Sequence, residues 1–369
     1  MKILIINPIL YTSETNSIPK VNSIKDTMIY TLCLGFLKLG HEPVLLSSAD
    51  YRPLKDEEYP IQIVFLNCLL KKIFPPRCIP FSPSIVRYLW NNKNKFDLVI
   101  SSEVFAISSL IAAIVAKKKT IIWHELGAHN KILKKIPSKI WYNIFGRTIF
   151  RNVIIVPRSN IAYKFICKYC KNVSESYIDH CVNLKQFEIS NIKNKQFIVI
   201  SQLITRKKIN GIIAAFSAFL KKYDNEFKLY IFGRGNLEND LRNQVKELEI
   251  MDSVKFMGFK SHNDIVNVLS KSKALLVNTE KDNNMVSIIE SIAAGTPVLT
   301  NEVPFNSAYI KGSKLGIVKN RWGEDELYEI SQNNDFYLNN CLKYREVLSN
   351  TYCSSKFVEL FKQIIQLNM

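Results

Sequence analysis

The stretch that decides the fold runs from Lys281 to Asn301 and reads KDNNMVSIIESIAAGTPVLTN. An apolar strand before it, Ala274 to Val277, leads into a polar loop and then into a helix that opens near Met285. Gly295 ends the helix and Pro297 starts the next strand, so the pattern predicts a strand, a helix and a second strand. The loop and first-turn N–H groups then lie at the carboxyl edge of a sheet, where free N–H groups attract phosphate.

Two acids, Asp282 and Glu290, are separated by seven residues in this stretch. Asp282 remains on the loop whereas Glu290 lies further along the helix, so the two carboxylates can meet different parts of one hydroxyl-rich ligand. The segment resembles the acid-x7-acid signature of the family 4 glycosyltransferases, retaining enzymes of the GT-B fold that use nucleotide-sugar donors. The resemblance extends in order over about residues 195 to 310. Asp282 replaces the usual Glu, and residues 283–285 replace Gly-Phe-Gly, whereas Glu290 and Gly295-Thr296-Pro297 match.

The resemblance implies roles for these residues. Glu290 is expected to hold the ribose hydroxyls, because a carboxylate accepts two hydrogen bonds from a vicinal diol. Asp282 is expected to contact the hydroxyls of the transferred sugar and is counted among the catalytic residues. The remaining donor contacts are expected along the helix start, at Asn284, Met285, Val286 and Ser287.

A basic loop, QLITRKK at residues 202–208, follows a strand and precedes a helix at the corresponding edge. A fixed cation there stabilises the charge that develops on a leaving diphosphate. In the alignment with the family, Lys207 falls on the family lysine and is predicted to be catalytic. Gln202 stands where the family has arginine, so we expect Arg206 to replace that arginine and Gln202 to be a further donor contact. A solvated basic loop is the alternative interpretation.

A glycine-containing turn, Gly233-Arg234-Gly235-Asn236, is similar to the Gly-x-Gly-Pro turn of the family. Arg234 is interpreted either as a donor contact or as a surface charge. Gly235 is interpreted as part of a plain strand-to-helix turn that uses the positive φ of glycine.

In the first half, Trp123-His124-Glu125 ends an apolar strand at the edge where α/β sheets collect ligand groups. Many family members have a histidine here, near the transferred sugar, so His124 is predicted to be the catalytic residue of the first domain. A structural histidine is the alternative, and Glu125 and His129 are further candidates. The glycine-rich first loop of the family is replaced by residues 11–22, so no contacts are assigned to that loop.

Length and periodicity predict two domains. The 369 residues are too many for one ordinary core, and strand and helix units alternate in both halves. We predict an α/β GT-B fold of two Rossmann-like doubly wound domains that face each other across a cleft. The limits are residues 1–190 for an acceptor-binding domain, 191–350 for a nucleotide-sugar-binding domain and 351–369 for a helix that crosses back to the first domain.

The individual elements follow from the apolar runs. A first helix is expected from about Ser23 to Leu39. Strands are expected at residues 44–47, 61–66, 98–101, 120–123, 153–157, 196–201, 228–232 and 254–257, and helices at 210–223, 237–249 and 262–271.

Apolar residues make up 47% of the chain and charged residues 22%, which is typical of a soluble globular protein. No apolar run reaches the roughly 18 residues of a membrane span, and the start is too short for a signal peptide, so the protein is expected in the cytoplasm. The eight cysteines are expected to be reduced, and the CxxC at Cys167 and Cys170 is interpreted as two ordinary thiols. There is no Asp-x-Asp pair, so no metal and no cofactor are expected, and the nucleotide sugar enters as a substrate.

The net charge of +18 is concentrated in residues 1–190, which carry 26 basic and 13 acidic side chains. Residues 131–151 predict a helix with a basic side and one apolar face, formed by Ile140, Trp141, Ile144, Phe145 and Ile149. Such a helix can lie on anionic lipid at the cytoplasmic face of the inner membrane. An ordinary helix that packs on the core is the alternative.

The function that these observations favour is retaining transfer of a sugar to a glycan or lipid-linked saccharide by a front-face mechanism. A sugar-nucleotide epimerase or a phosphorylase of the same fold is an alternative. The sequence pI of about 9.4 raises a nucleic-acid-binding protein as an alternative of a different class. No zinc finger, RNP-like motif or arginine-rich helix accompanies that charge, so nucleic acid is not an expected partner.

Overall fold

The computed structural model describes residues 1–10, 18, 21–260 and 262–367. It forms two compact units, one of Met1–Cys181 together with the segment from Asn350, and one of Val182–Ser349. The domain limits inferred from the sequence, at residues 190 and 350, remain a prediction beside this division. The loop at residues 11–22 lies largely outside the described residues.

The first unit is built on a six-stranded parallel sheet of order β3-β2-β1-β4-β5-β6. Its elements are β1 (Lys2–Ile6), α1 (Met28–Lys38), β2 (Glu42–Ser48), β3 (Gln62–Leu66), α2 (Ser84–Asn92), β4 (Leu98–Ser102), α3 (Ile107–Val115), β5 (Thr120–His124), α4 (Ile136–Trp141), β6 (Ile154–Pro157), α5 (Asn160–Ile166) and, at the end of the chain, α13 (Asn350–Leu367).

Strand β1 shows why helices cover both faces of this sheet. Alternate residues of a strand point to opposite faces, and both sets are apolar here. Ile3 and Ile5 belong to one buried cluster with Phe36 of α1. Leu4 and Ile6 belong to another buried cluster that includes side chains of α2 and α3. Such a strand is stable only in the centre of a doubly wound sheet.

Helix α1 begins later than the sequence indicates. Its N-cap is Thr27, whose hydroxyl accepts a hydrogen bond from the backbone N–H of Tyr30. The expected start at Ser23 is therefore wrong, because the capping threonine fixes the first turn. The expected end is confirmed by Gly40, whose φ of +75° lies in the left-handed region that favours glycine.

Helix α13 packs against α1 within the first unit. The side-chain amide of Asn350 donates to the carbonyl oxygen of Thr31 at 2.9 Å, and the Ser354 hydroxyl donates to that of Leu32 at 3.1 Å. At Gly35 an added Cβ would lie 2.2 Å from the carbonyl oxygen of Asn350, so only glycine permits this approach. The last helix thus belongs to the first unit.

The second unit repeats the same strand order in a six-stranded parallel sheet, β12-β11-β10-β7-β8-β9. Its elements are β7 (Gln196–Ile200), α6 (Ile209–Lys222), β8 (Lys228–Phe232), α7 (Glu238–Glu247), β9 (Val254–Gly258), α8 (His262–Ser270), β10 (Ala274–Leu276), α9 (Val286–Ala293), β11 (Val298–Thr300), α10 (Ser307–Gly312), β12 (Gly316–Val318), α11 (Glu324–Gln332) and α12 (Asn334–Tyr344). The predicted α/β class with two parallel sheets is confirmed.

Each sheet reverses its strand order at one point, between β1 and β4 in the first unit and between β7 and β10 in the second. In open α/β sheets, ligands bind beside the carboxyl ends of the strands at this switch point. The loops that follow these four strands are therefore the first places to look for a site.

The basic segment at residues 131–151 is not one regular helix. It contains a 3₁₀ turn, the short helix α4, a π-helical stretch at Tyr142–Gly146 and another 3₁₀ turn. The change of helical pitch divides the predicted apolar face. Trp141, Phe145 and Ile149 pack against a buried cluster, whereas Ile140 and Ile144 are exposed. Among the described residues, no helix is long and apolar enough to span a membrane.

Candidate functional site

The loops after β7 and β10 meet at a carboxylate. Asp282 lies between two cations, with Oδ1 2.8 Å from the guanidinium of Arg206 and Oδ2 2.8 Å from Nζ of Lys207. The hydroxyl of Thr279 also donates to Oδ2, at 2.6 Å. The structure thus brings together three residues that the sequence had predicted separately. Thr279 was not among the predicted residues.

Backbone contacts fix the two loops against each other. The N–H of Glu280 donates to the carbonyl oxygen of Arg206 at 2.8 Å, and the Arg206 guanidinium donates to the carbonyl oxygen of Lys281 at 2.8 Å. The next cation, Lys208, is directed elsewhere and pairs with Glu280 at 2.7 Å. Two of the three consecutive cations therefore serve the site, and the third does not.

The start of α9 borders the same place. A small pocket at the end of β7 is lined by Lys207, Thr279 and Met285. The N–H of Met285, the N-cap residue, donates to the buried side chain of Asn306 at 2.7 Å. The first-turn N–H groups of a helix have no intrahelical acceptor, so those that follow Met285 can serve an anion. The predicted residues Asn284, Val286 and Ser287 surround this helix start.

Glu290 lies on α9 and contacts a residue that the sequence analysis missed. Its Oε1 is 3.1 Å from Nε2 of His262, at the start of α8. The ring of His262 also packs edge-on against Phe187, with the ring centres 5.5 Å apart. Both Glu290 and His262 are only partly buried, so the carboxylate remains within reach of a ligand. No local pattern marks His262, because the contact depends on how α8 packs beside α9.

Gln202 and Arg234 lie on neighbouring loops and both have exposed side chains. The backbones of these loops are joined, since the N–H of Leu203 donates to the carbonyl oxygen of Arg234 at 3.0 Å. Their roles as donor contacts stay predictions.

The two glycines beside Arg234 are needed for different reasons. Gly233 has a φ of +128°, and a Cβ there would lie 1.8 Å from the carbonyl oxygen of Ser201. Gly235 does not have a positive φ, so that expectation was wrong. A Cβ at Gly235 would instead lie 2.1 Å from the carbonyl oxygen of Leu203. Close approach of the loops explains this glycine.

In the first unit, His124 ends β5 but its side chain is 0% exposed. Its ring stacks against Phe165 and meets Tyr142 edge-on, with ring centres 6.2 and 6.3 Å away. Nδ1 lies 2.9 Å from a carboxylate oxygen of Glu103, although within the described residues neither ring nitrogen makes a well-oriented hydrogen bond. A ligand therefore cannot touch His124 directly in this conformation.

Glu103 was missed by the sequence analysis, although an acid directly after an apolar strand is a recognisable signal. It follows β4 and has a φ of +68°. Its Oε1 accepts a hydrogen bond from the N–H of Glu125 at 2.8 Å. The side chain is 24% exposed, in contrast to His124.

Glu125, a further candidate from the sequence, forms a charged cluster beneath this edge. It contacts Arg158 at 2.9 Å and His180 at 3.5 Å. Burial raises the pKa of the Glu125 carboxyl, but the charges of Arg158 and then of His180 outweigh burial and lower that pKa to about 2. Burial raises the pKa of the neighbouring Asp179 to about 6. Arg158 also stacks on the ring of Trp123 at 3.7 Å, which ties the cluster to the core.

His129, the other candidate, packs among aromatic rings and contacts the hydroxyls of Ser138 and Tyr169. Burial lowers the pKa of His129. Within the part of the chain that the structure describes, no three His, Cys, Asp or Glu side chains are grouped to hold a metal ion. In the second unit, Arg206, Lys207 and the start of α9 form a group that is suited to binding an anion.

Comparison with known proteins agrees with this placement. Residues 183–327, which include all of the second-unit site, match the family described as glycosyl transferases group 1. The chain is similar to alpha-monoglucosyldiacylglycerol synthase of Streptococcus pneumoniae, at 26% identity over 333 residues, or 84% of this chain and 74% of that protein. It is also similar to the O-antigen chain mannosyltransferase RfbU of Salmonella typhimurium, at 26% identity over 129 residues, or 35% of this chain and 36% of that protein.

Among solved structures, HepE of Anabaena in complex with UDP and glucose superimposes with a TM-score of 0.65. The superposition covers 98% of this chain and 100% of that chain, at 12% sequence identity. At this identity the likeness concerns the fold, and it agrees with the predicted GT-B architecture.

Proposed function

We propose that this glycosyltransferase, whose residues 183–327 form a group 1 glycosyl transferase domain, moves a sugar from a nucleotide-sugar donor to a glycan or lipid-linked acceptor with retention of configuration. The observation that carries the proposal is the meeting of Arg206, Lys207 and Asp282 at the switch point of the second sheet. Two cations beside a helix start suit a diphosphate, and Glu290 on the same helix suits a ribose diol.

The donor is proposed to be a nucleoside diphosphate sugar, because the structurally similar HepE has been solved in complex with UDP-glucose. Without a ligand, the carboxylate of Asp282 pairs with both Arg206 and Lys207. A bound diphosphate competes for the same two cations and releases the carboxylate. Asp282 is then available to accept hydrogen bonds from sugar hydroxyls, the role that the family resemblance implies. The ion pairs with Asp282 thus keep the two cations ordered before the donor binds.

The proposed chemistry is a front-face displacement. The acceptor oxygen bonds to the anomeric carbon on the side from which the diphosphate leaves, and the electron pair of the broken carbon–oxygen bond goes to the diphosphate. The acceptor proton passes to a leaving phosphate oxygen, so no protein nucleophile is needed. Lys207 and Arg206 stabilise the charge that grows on the diphosphate. We expect no metal ion to take part.

A lipid-linked acceptor is supported by the exposed surface of the first unit. Ile136, Ile140 and Ile144 are each more than 50% exposed and stand four residues apart, and Lys135 and Lys139 are exposed beside them. An apolar ridge with flanking lysines suits the surface of an anionic membrane. The similarity to alpha-monoglucosyldiacylglycerol synthase agrees with a glycolipid product. We place the enzyme in the cytoplasm, at the inner face of the membrane.

Liposome flotation tests the membrane contact. We expect wild type to float with vesicles that contain anionic phosphatidylglycerol and to stay behind with neutral phosphatidylcholine vesicles. The variant Ile140→Ser/Ile144→Ser should lose flotation, whereas Val86→Ser, at an exposed residue of α2, should keep it. Equal flotation with both lipids, or flotation with neither, would contradict the proposed membrane contact but not the proposed donor chemistry.

A transfer assay tests the activity itself. The purified chain is incubated with UDP-glucose, UDP-galactose, UDP-N-acetylglucosamine or GDP-mannose, and with dioctanoylglycerol or n-octyl β-glucoside. We expect one donor to yield an α-linked product, identified by the anomeric proton coupling in NMR. A β-linked product would contradict retention. Epimerisation of the sugar without transfer to an acceptor would favour the epimerase alternative.

A further inference from the structure

We propose that Glu103, rather than His124, is the acceptor-binding residue of the first unit, and that His124 positions it. The inference rests on the proposed function, because it concerns binding of the acceptor of the sugar. Glu103 would accept a hydrogen bond from a hydroxyl of a saccharide or glycerol acceptor. The assignment follows from the place of Glu103 in the sheet, from the support of its carboxylate and from the burial of His124.

The place is the switch point of the first sheet. Strand β4 lies next to β1, where the strand order reverses, and Glu103 is the first residue after β4. Its φ of +68° is uncommon for a residue with a side chain. The N–H of Glu103 donates to the carbonyl oxygen of Trp123 at 3.0 Å, which holds the backbone in this conformation. Such backbone strain persists only where the surroundings enforce it.

The carboxylate is held on one side and open on the other. Oε1 accepts from the N–H of Glu125 at 2.8 Å, and Oε2 lies 3.5 Å from the N–H of Leu126 and 2.9 Å from Nδ1 of His124. An ionised carboxylate offers about four lone-pair sites. With 24% of the side chain exposed, the remaining sites can accept hydrogen bonds from a ligand.

His124 supports the carboxylate from within the core. Its ring is fully buried between Phe165 and Tyr142, so it has no open side for a sugar. Nδ1 of His124 contacts Oε2 of Glu103, and the Glu103 side chain is in turn partly exposed to solvent. His124 is therefore a positioning residue, and its replacement changes acceptor binding only through Glu103. Glu103 binds a hydroxyl of the acceptor and takes no proton in the proposed front-face reaction.

The test compares Glu103→Gln with wild type, using the donor and acceptor of the panel above that give the highest wild-type rate. Glutamine keeps the oxygen that accepts from the Glu125 N–H but removes the charge. We expect the KM for acceptor to rise about tenfold or more, because a hydrogen bond to a charged group is lost. The dissociation constant for UDP, measured by calorimetry, should stay unchanged.

A matched control lies at the opposite end of the same strand. Asp97 precedes β4 and accepts a hydrogen bond from the backbone N–H of Lys2 at 2.8 Å. Asp97→Asn therefore also neutralises a carboxylate that a backbone N–H supports, but at the amino edge of the sheet. We expect this variant to keep the wild-type KM for acceptor.

Replacement of His124 separates positioning from simple stability. His124→Asn should raise the same KM without changing UDP affinity, and Glu103→Gln/His124→Asn should be no worse than Glu103→Gln alone. A loss of thermal stability with an unchanged acceptor KM would mean that His124 is only structural and would overturn its assigned part.

The remaining outcomes separate the two proposals. Normal transfer by Glu103→Gln with the wild-type acceptor KM would overturn the role of Glu103 and leave the proposed function intact. Wild type that neither binds UDP nor transfers a sugar in the panel would overturn the proposed function, and this inference with it.

Discussion

Lys207 and Asp282 form an ion pair in the ligand-free chain, with Nζ 2.8 Å from Oδ2, and Arg206 occupies the other oxygen of the same carboxylate. Lys207 is 9% exposed, and a buried cation that loses its counter-charge destabilises the fold. A diphosphate that takes the place of the carboxylate gains two ordered cations. In the proposed function, the ion pair thus keeps two successive basic residues ordered for an anionic donor.

Charge reversal at Arg206 should reduce transfer activity far more than charge reversal at its neighbour Lys208. Arg206→Glu places a negative charge beside the proposed diphosphate, and kcat/KM for the donor should fall about 100-fold or more. Lys208→Glu should change it by less than about threefold, because Lys208 pairs with exposed Glu280. Steady-state kinetics measure both. Equal, small losses would show that Arg206 does not replace the missing arginine of the family.

Removal of the Glu290 carboxylate should weaken binding of the ribose in particular. Glu290→Ala should raise the dissociation constant of UDP about tenfold or more, since two hydrogen bonds to a charged group are lost. The same substitution should raise the dissociation constant of 2′-deoxy-UDP much less, because this nucleotide lacks one of the two ribose hydroxyls. Isothermal titration calorimetry gives both values, and Glu280→Ala on the nearby loop is the control. An equal loss with both nucleotides would contradict ribose binding by Glu290.

Acid should weaken the first unit through Glu125. Its pKa of about 2 lies below the ordinary value of 4.5, so its ionised form stabilises the fold above pH 4.5. This contribution is lost as the pH falls from 4.5 towards 2. Urea unfolding between pH 6 and 3 should therefore show a steeper loss of stability in wild type than in Glu125→Gln. The exposed Glu58→Gln should follow wild type, and parallel curves for all three would contradict the effect.

The packing of α13 on α1 should not tolerate a methyl group at Gly35. A Cβ there would lie 2.2 Å from a backbone oxygen, so Gly35→Ala should lower the free energy of unfolding by about 2 kcal/mol or more. Gly312→Ala, where a Cβ would have nothing within 4 Å, should change it by less than about 1 kcal/mol. Urea unfolding followed by circular dichroism measures the difference. Similar stabilities of the two variants would show that the helices can separate locally.

The strands and most helices could be predicted because each leaves a local mark. The run from Lys228 to Phe232, for example, is a strand in both the prediction and the structure. The ion pairs of Asp282 with Arg206 and Lys207 were not predicted directly. The sequence indicated only that the two loops lie at the same edge of one sheet. The N-cap at Thr27 was missed because several polar residues before the helix could have capped it.

Contacts between distant elements could not be predicted. The pairing of His262 with Glu290 depends on the relative position of two helices. The burial of His124 depends on aromatic rings from α5 and from the π-helical stretch, which no local pattern places over β5. His124 is covered, whereas Glu103 beside it is partly exposed, and the left-handed backbone of Glu103 also has no signature in the sequence.

The most direct test of the central claim is calorimetric titration of the chain with UDP-glucose, UDP-galactose, UDP-N-acetylglucosamine and GDP-mannose in excess EDTA. We predict that wild type binds one of them without a metal ion and that Lys207→Met weakens this binding about tenfold or more, whereas Lys208→Met leaves it unchanged. Absence of binding to every nucleotide sugar, or equal affinities of wild type and Lys207→Met, would contradict a diphosphate site at the loops after β7 and β10.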